Sequence, residues 1–247
     1  MQVRKFKKIG KNKYKVFFDN TDLVLFEDII LKYDLLIKKN IDTALIDEII
    51  KENRWYEAYD MALGYIEIKM RNKREIVKYL ENKMYDNKII DNVISKLESI
   101  GLLNNKSYIT AYVNDKVNLS NDGPNKIKKA LLDLDFKEDD INEYLYTLDR
   151  KIWENKLEKI INKKKGLMKN KSYYMFINKL KNDLYNLGYD KDMIDSYLSS
   201  INYESNAINK DFEKYKKKYK DDKNKIINSL LRKGYSYDEI HNIISSN

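Results

Sequence analysis

The chain is predicted to be mainly α, built from tandem three-helix repeats in an elongated, curved array behind a small N-terminal head that contains a β-hairpin. Three observations predict this fold: one apolar template recurs four times without gaps, turn-forming residues are scarce, and a single short stretch favours β structure. The 247 residues include only 7 Gly and 1 Pro. Breakers this rare suit long helical stretches, whereas a sandwich or barrel needs turn residues every few positions. Hydrophobic residues make up 43% and charged residues 35% of the chain, with a mean hydropathy of -0.71. That balance implies modest cores wrapped in charged surface.

The head is expected to occupy residues 1–50. Tyr14 to Leu25 place two β-favouring runs around Asp19-Asn20-Thr21-Asp22, a polar turn of the hairpin kind. A first strand near Arg4 to Ile9 is positioned to pair with them. Ile41 to Ile50 then read as a helix capped by Asp42 or Thr43.

The template runs through Lys73 to Leu97, Pro124 to Leu148, Ile177 to Ile201 and Lys223 to Asn247. Its second-helix anchors are Ile76, Ile127, Leu180 and Ile226, each followed four residues later by Leu80, Leu131, Leu184 or Leu230, which puts both on one helical face. Five residues further stands an aromatic, Tyr85, Phe136, Tyr189 or Tyr235, marking a turn. A third helix follows with Ile90, Ile141, Ile194 or Ile240, and one turn on Ile94, Leu145, Leu198 or Ile244. Each copy is preceded by a first helix, carried by Trp55, Ala58, Ala62 and Ile66, by Tyr108, Tyr112 and Val117, by Trp153, Leu157, Ile160 and Ile161, and by Ile208, Phe212, Tyr215 and Tyr219. The repeats are therefore expected at residues 51–104, 105–151, 152–203 and 204–247.

Turn chemistry agrees with the template. Gly188 and Gly234 sit where a helix ends in the left-handed conformation, which costs glycine nothing. Met84 and Asp135 occupy that place in the first two copies, so those turns are expected to differ or to carry strain. Asp86, Asp190 and Ser236 are good N-caps for the third helix, Lys137 is not, and Ser236 with Glu239 has capping-box spacing, as Asn72 has with Glu75. Pro124 after Gly123 suits a helix's first turn.

The stretch Ala58 to Leu80, A-Y-D-M-A-L-G-Y-I-E-I-K-M-R-N-K-R-E-I-V-K-Y-L, resembles the first repeat of the RecX family, and Leu102 to Asn105 with Tyr108 and Ala111 to Val113 resemble the opening of the second. Asp122-Gly123-Pro124 with Ile127 and Leu131 is similar to the family's Gly-Pro-x-x-Ile-x-x-x-Leu element. Asn72 and Asn105 stand where members more often carry Ser and Asp, and both keep capping ability. The resemblance implies a regulator and no enzyme. It implies binding along the groove of the RecA filament on single-stranded DNA, with lowered ATPase, strand exchange and coprotease activity and hence control of recombination, DNA repair and the SOS response. The expected partners are thus RecA and single-stranded DNA, reached directly or through RecA.

Charge bears on the same question. The net charge is +9, and residues 151–247 hold 21 Lys/Arg against 13 Asp/Glu, an excess of +8. Such an excess points to a polyanion or an acidic protein surface, although Lys, Asn, Ile and Tyr are abundant throughout, as an AT-rich genome would produce. The candidate partner-binding residues are Arg71, Lys73 and Arg74 at the first repeat, Lys126, Lys128 and Lys129 at the second, Lys163, Lys164 and Lys165 at the third, and Lys216, Lys217 and Lys218 at the fourth. For each the alternative is an ordinary solvated helix face. Direct nucleic-acid binding and a scaffold for an unrelated acidic protein are the competing functions.

Other chemistry finds little support. His241 is the single histidine and cysteine is absent, which removes His-paired nucleophiles, multi-His metal sites and disulfides. No phosphate-binding glycine loop or EF-hand spacing occurs. No cofactor is expected, and no apolar run approaches the roughly 18 residues of a membrane helix. A cytoplasmic monomer is the expectation.

Overall fold

The computed structural model of the chain describes every residue except 39, 169, 202–205, 221 and 247. The last template residue, Asn247, and the expected boundary between residues 203 and 204 lie outside the described residues. The chain divides into two compact units, Met1–Tyr108 and Ile109–Asn247.

The first unit opens with β1 (Val3–Lys8), β2 (Lys13–Phe18) and β3 (Asp22–Phe26), an antiparallel sheet in that order. β2 and β3 are joined over the polar turn expected between them, with Val16 facing Leu23 and Tyr14 facing Leu25. α1 (Glu27–Lys32) and α2 (Thr43–Ile68) cover the sheet. Val16, Leu25, Ile29, Leu35 and Ile49 are buried together, so the head has a core of its own. α2 is one helix of 26 residues capped by Asp42, where the sequence suggests two helices with a break near residue 50. It continues because Lys51-Glu52-Asn53-Arg54 holds no breaker, and because Asn53 has a task on it. The buried Asn53 amide accepts from Phe26 N–H at 3.0 Å and donates to Val24 C=O at 2.9 Å, tying α2 to the sheet edge. The C-terminal half of α2 then serves as the first helix of repeat 1, with α3 (Lys73–Glu81) and α4 (Asn87–Ser99).

The second unit contains the rest of the repeats. α5 (Asn105–Leu119), which starts in the first unit, α6 (Pro124–Leu132) and α7 (Glu138–Leu145) form repeat 2. α8 (Arg150–Leu167), α9 (Tyr173–Asn186) and α10 (Lys191–Ser199) form repeat 3, and α11 (Ala207–Tyr219), α12 (Lys223–Arg232) and α13 (Tyr237–Ser245) form repeat 4. All eight second-helix anchors are buried. On α5 the buried stripe is Ile109 and Val113, with Tyr108 and Tyr112 only flanking it. α9 starts one turn before the expected Ile177, because Ser172 caps it by accepting from Met175 N–H.

The turn after each second helix is the same Schellman motif. The aromatic N–H reaches back to the leucine carbonyl in every repeat: Tyr85 to Leu80, Phe136 to Leu131, Tyr189 to Leu184 and Tyr235 to Leu230, at 3.2–3.3 Å. One residue earlier, Met84, Asp135, Gly188 and Gly234 all take positive φ, 63°, 66°, 86° and 79°. The aromatic is therefore the apolar residue that this motif sets against the helix it ends. The first two turns do not differ from the others in shape. They accept the cost of a non-glycine residue in the left-handed region instead.

Within the second unit the turns also join repeats. Gly123 N–H donates to Leu187 C=O at 2.6 Å and Asn125 N–H to Gly188 C=O at 3.0 Å, so the start of α6 rests on the turn of repeat 3. A Cβ on Gly123 would lie 2.7 Å from the Gly188 backbone, and one on Gly188 would run into the Lys126 backbone. The next joint repeats the arrangement: Ser172 Oγ donates to Lys233 C=O at 2.6 Å, and the space beside Gly234 is filled by Tyr174 and Ser172.

Met84, whose side chain is exposed, needs no such space. Met84→Gly is expected to raise stability by up to about 1 kcal/mol, since relief of a left-handed residue, roughly 1–2 kcal/mol, exceeds the entropy cost of glycine, roughly 0.5–1 kcal/mol, while Gly188→Ala lowers it by more than about 1 kcal/mol through conformation and collision together. Urea midpoints followed by circular dichroism check both.

Candidate functional site

The three cations of repeat 1 separate on inspection. Arg71 leads into α3 with its guanidinium 3.7 Å from the centre of the Tyr65 ring, which in turn stacks on Tyr79 at 4.2 Å. Its Nη1 donates to Glu75 Oε1 at 3.1 Å and its Nε to Tyr65 C=O at 3.3 Å. Only 10% of its side chain is exposed, so Arg71 locks the α2–α3 turn and offers little charge outward. Burial works against the charge on Glu75, but the Asn72 N–H, Arg71 and Lys69 outweigh it and hold the carboxyl below the usual range. Lys73 pairs loosely with Glu98 at 3.4 Å, and Arg74 is exposed.

The second unit brings candidates from two repeats together. Lys126 on α6 and Lys163 and Lys164 on α8 line one open groove of about 610 Å³, alongside Lys159, whose place the sequence did not reveal. Its apolar lining includes the buried Ile160 together with Leu167 and Leu187. These cations meet because α6 docks on the Leu187–Gly188 turn. Lys126 pairs with Asp122 at 2.7 Å and Lys164 with Asp183. Among the described residues no ion pair engages Lys159 or Lys163, which leaves their charge uncompensated toward the groove.

Beneath the groove the joint is held by polar contacts. Asp122 faces Lys126 and Lys116, and these cations outweigh the effect of burial to hold its carboxyl below the usual range. Lys156 reaches across from α8 to donate to the carbonyls of Lys116 at 3.2 Å and Asp122 at 3.4 Å, and burial lowers its pKa. Tyr189, expected in the core, is 1% exposed, its hydroxyl has no hydrogen-bond partner among the described residues, and burial followed by the Asp122 charge pushes it up to about 12.

The remaining candidates lie elsewhere. Lys128 is paired with Glu138 at 2.6 Å, and Lys129 is exposed on α6. Lys165 shares the last turn of α8 with Lys164, and Lys216, Lys217 and Lys218 occupy the last turn of α11. Cations at helix C-termini complement the helix dipole, so these runs have a structural use regardless of any partner. His241 is exposed on α13. Among the described residues no helix is long and apolar enough to cross a membrane.

These features define a protein of tandem three-helix domains with a lysine-lined surface groove in its second unit. Residues 58–97 match the family model described as RecX, first three-helix domain. The chain is 31% identical over 228 residues to regulatory protein RecX of Bacillus cytotoxicus, covering 87% of this chain and 84% of that protein. It is 29% identical to regulatory protein RecX of Streptococcus agalactiae serotype Ia over 96% of each. A crystal structure of regulatory protein RecX shares the fold, with a TM-score of 0.70 at 20% identity over 78% of this chain and 97% of that one. The structure of RecX from Lactobacillus salivarius gives a TM-score of 0.56 at 27% identity over 60% and 97%. The chain belongs to the RecX family, whose curated members matched here are named regulatory proteins.

Two outcomes follow from the geometry. Arg71→Ala is expected to destabilise the first unit by about 1–3 kcal/mol, since a charge-assisted hydrogen bond and a cation–π contact are both lost, and Arg71→Lys should not restore it because lysine lacks the planar fork. Urea unfolding of the variants measures both. The Asp122 carboxyl has a lowered folded pKa, so its contribution is complete above the unfolded value of about 4 and is lost as pH falls through the folded value. Asp122→Asn should therefore flatten the acid limb of a stability-versus-pH curve below about pH 4.

Proposed function

We propose that the chain is a non-enzymatic regulator that binds the RecA filament on single-stranded DNA along its groove and lowers RecA ATPase, strand exchange and coprotease activity. The observation that carries this reading is the kinship with proteins named regulatory protein RecX along nearly the whole chain, joined to the match of repeat 1 with the family's first three-helix domain. A protein made of repeats presents several separate contact surfaces. Weak contacts to neighbouring protomers then add through effective concentration, so a polymer is favoured over free subunits.

A second reading, direct binding of nucleic acid by the chain alone, is favoured by the lysine groove between repeats 2 and 3 and by the +8 excess of residues 151–247. The two readings separate in one set of measurements. Added below stoichiometry to RecA, single-stranded DNA and ATP, the protein is expected to slow ATP hydrolysis and shorten filaments; unchanged hydrolysis and length at equal amounts would sink the first reading. Binding to DNA without RecA that weakens steeply with salt supports the second, and affinity that appears only on RecA-coated DNA overturns it.

A further inference from the structure

We propose that the outer face of α9 is a track for single-stranded nucleic acid, with a lysine-rich end where repeats 2 and 3 meet and a tyrosine end where repeats 3 and 4 meet. The proposal deepens the direct-binding reading and rests on it, independently of any effect on RecA.

Three surface grooves follow one another along this helix. The lysine groove described above ends at Asp183. Asp183 also borders a second groove, lined by Asn178, Lys179, Asn182, Lys171 and Tyr174. Tyr174 in turn borders a third, formed with Tyr173, Gly234 and Tyr235. The shared residues make the grooves continuous, and the spacing explains why. Met175, Asn178, Asn182 and Asn186 recur at three and four residues, so they form one stripe along a helix whose 14 residues extend about 21 Å, and Lys171 borders the second groove just before the helix begins.

The stripe's chemistry selects the ligand. Lys159, Lys163 and Lys179 have no ion pair among the described residues, and the asparagines between them donate and accept without adding charge. Two carboxylates border the track, and both are engaged: Asp183 pairs with Lys164, and Glu239 accepts from the Ser236 N–H at 2.7 Å and hydroxyl at 2.9 Å. At the far end Tyr174 is 64% exposed and Tyr173 46%, so much of the Tyr174 side chain reaches solvent. Cations that follow a backbone, combined with open aromatic faces, are the recognition chemistry of unpaired strands, since only unstacked bases reach the rings. A duplex would use the lysines and ignore the tyrosines, and an acidic protein surface would gain little from either ring.

The test is fluorescence anisotropy of labelled oligo(dT) with the full chain and no RecA. Lys159→Glu with Lys163→Glu is expected to weaken binding at least ten-fold and to reduce the salt slope by about 1.4, two contacts at roughly 0.7 each for a single strand. Lys217→Glu with Lys218→Glu makes the same charge change outside the grooves and should cost far less. Tyr174→Ala is expected to cost roughly five-fold or more for oligo(dT) and nothing for a duplex, and Tyr174→Phe should restore binding while ruling out damage to the joint beside Gly234. Equal losses from the two lysine pairs, an unchanged affinity for Tyr174→Ala, or poly-glutamate competing as well as unlabelled oligo(dT) would each overturn the track. None of these outcomes bears on inhibition of RecA ATPase, so the two ideas fail separately.

Discussion

The second unit depends on one contact: the start of a second helix resting on the glycine turn of the next repeat. A helix begins with amide donors that its own turns cannot satisfy, and ends with carbonyls in the same position. At Gly123 and Asn125 those donors meet the carbonyls of Leu187 and Gly188, so the positive end of α6 caps the negative end of α9. The approach is close enough that neither glycine has room for a Cβ. At the following joint the serine hydroxyl of Ser172 takes over the donor's part toward Lys233 C=O. Backbone hydrogen bonds of this kind are directional, which fixes how one repeat is set on the next. The lysine groove is a consequence, since Lys126 and Lys163 come from different repeats and meet only because the joint holds α6 against the turn.

Much of this was written in the sequence, because the signals concerned are local. The anchors Ile76, Ile127, Leu180 and Ile226 and their partners four residues on needed only helical periodicity, and the caps Asn72, Asp86, Asp190 and Ser236 needed only a short polar side chain at the right spacing. The hairpin of the head was equally legible. What escaped was non-local. The lack of a breaker in Lys51 to Arg54 permits α2 to run through, but the bond from Asn53 to the sheet, which gives that stretch its task, is not visible in the sequence. Gly123 reads as a partner for Pro124, and its pairing with Gly188 is invisible until both are in space. Arg71 reads as a surface cation, yet its position in the α2–α3 connection is decided by Tyr65, six residues earlier on α2. Lys159 stands alone in the sequence, and only the fold sets it beside Lys163 and Lys164 in one groove.

The abundant lysine of this chain is therefore not one thing. Some lysines are structural: Lys156 spans the joint with its charge opposed by burial, and Lys128 is paired across repeat 2. Others, at the ends of α8 and α11, answer the helix dipole. What distinguishes Lys159 and Lys163 is convergence with other groove cations without an ion pair of their own among the described residues. Single exposed ion pairs contribute little and are screened by salt, whereas unpaired cations gathered in a concave surface sum their potential toward whatever enters.

That distinction also says why residue counts alone misplace the site. The densest runs, Lys163 to Lys165 and Lys216 to Lys218, look equivalent in sequence, and both close a helix. Lys163 and Lys164 of the first run line a groove with Lys126 of α6 and Asp183 of α9. In the second, Lys216 and Lys218 lie over Phe212 and Tyr219 within their own repeat. The same local chemistry yields a candidate binding surface in one place and a helix end in the other, and the difference is made by the neighbouring repeat's α6, which rests on the glycine turn of repeat 3. In this chain a backbone contact between repeats, from Gly123 and Asn125 to Leu187 and Gly188, decides which charges share a surface.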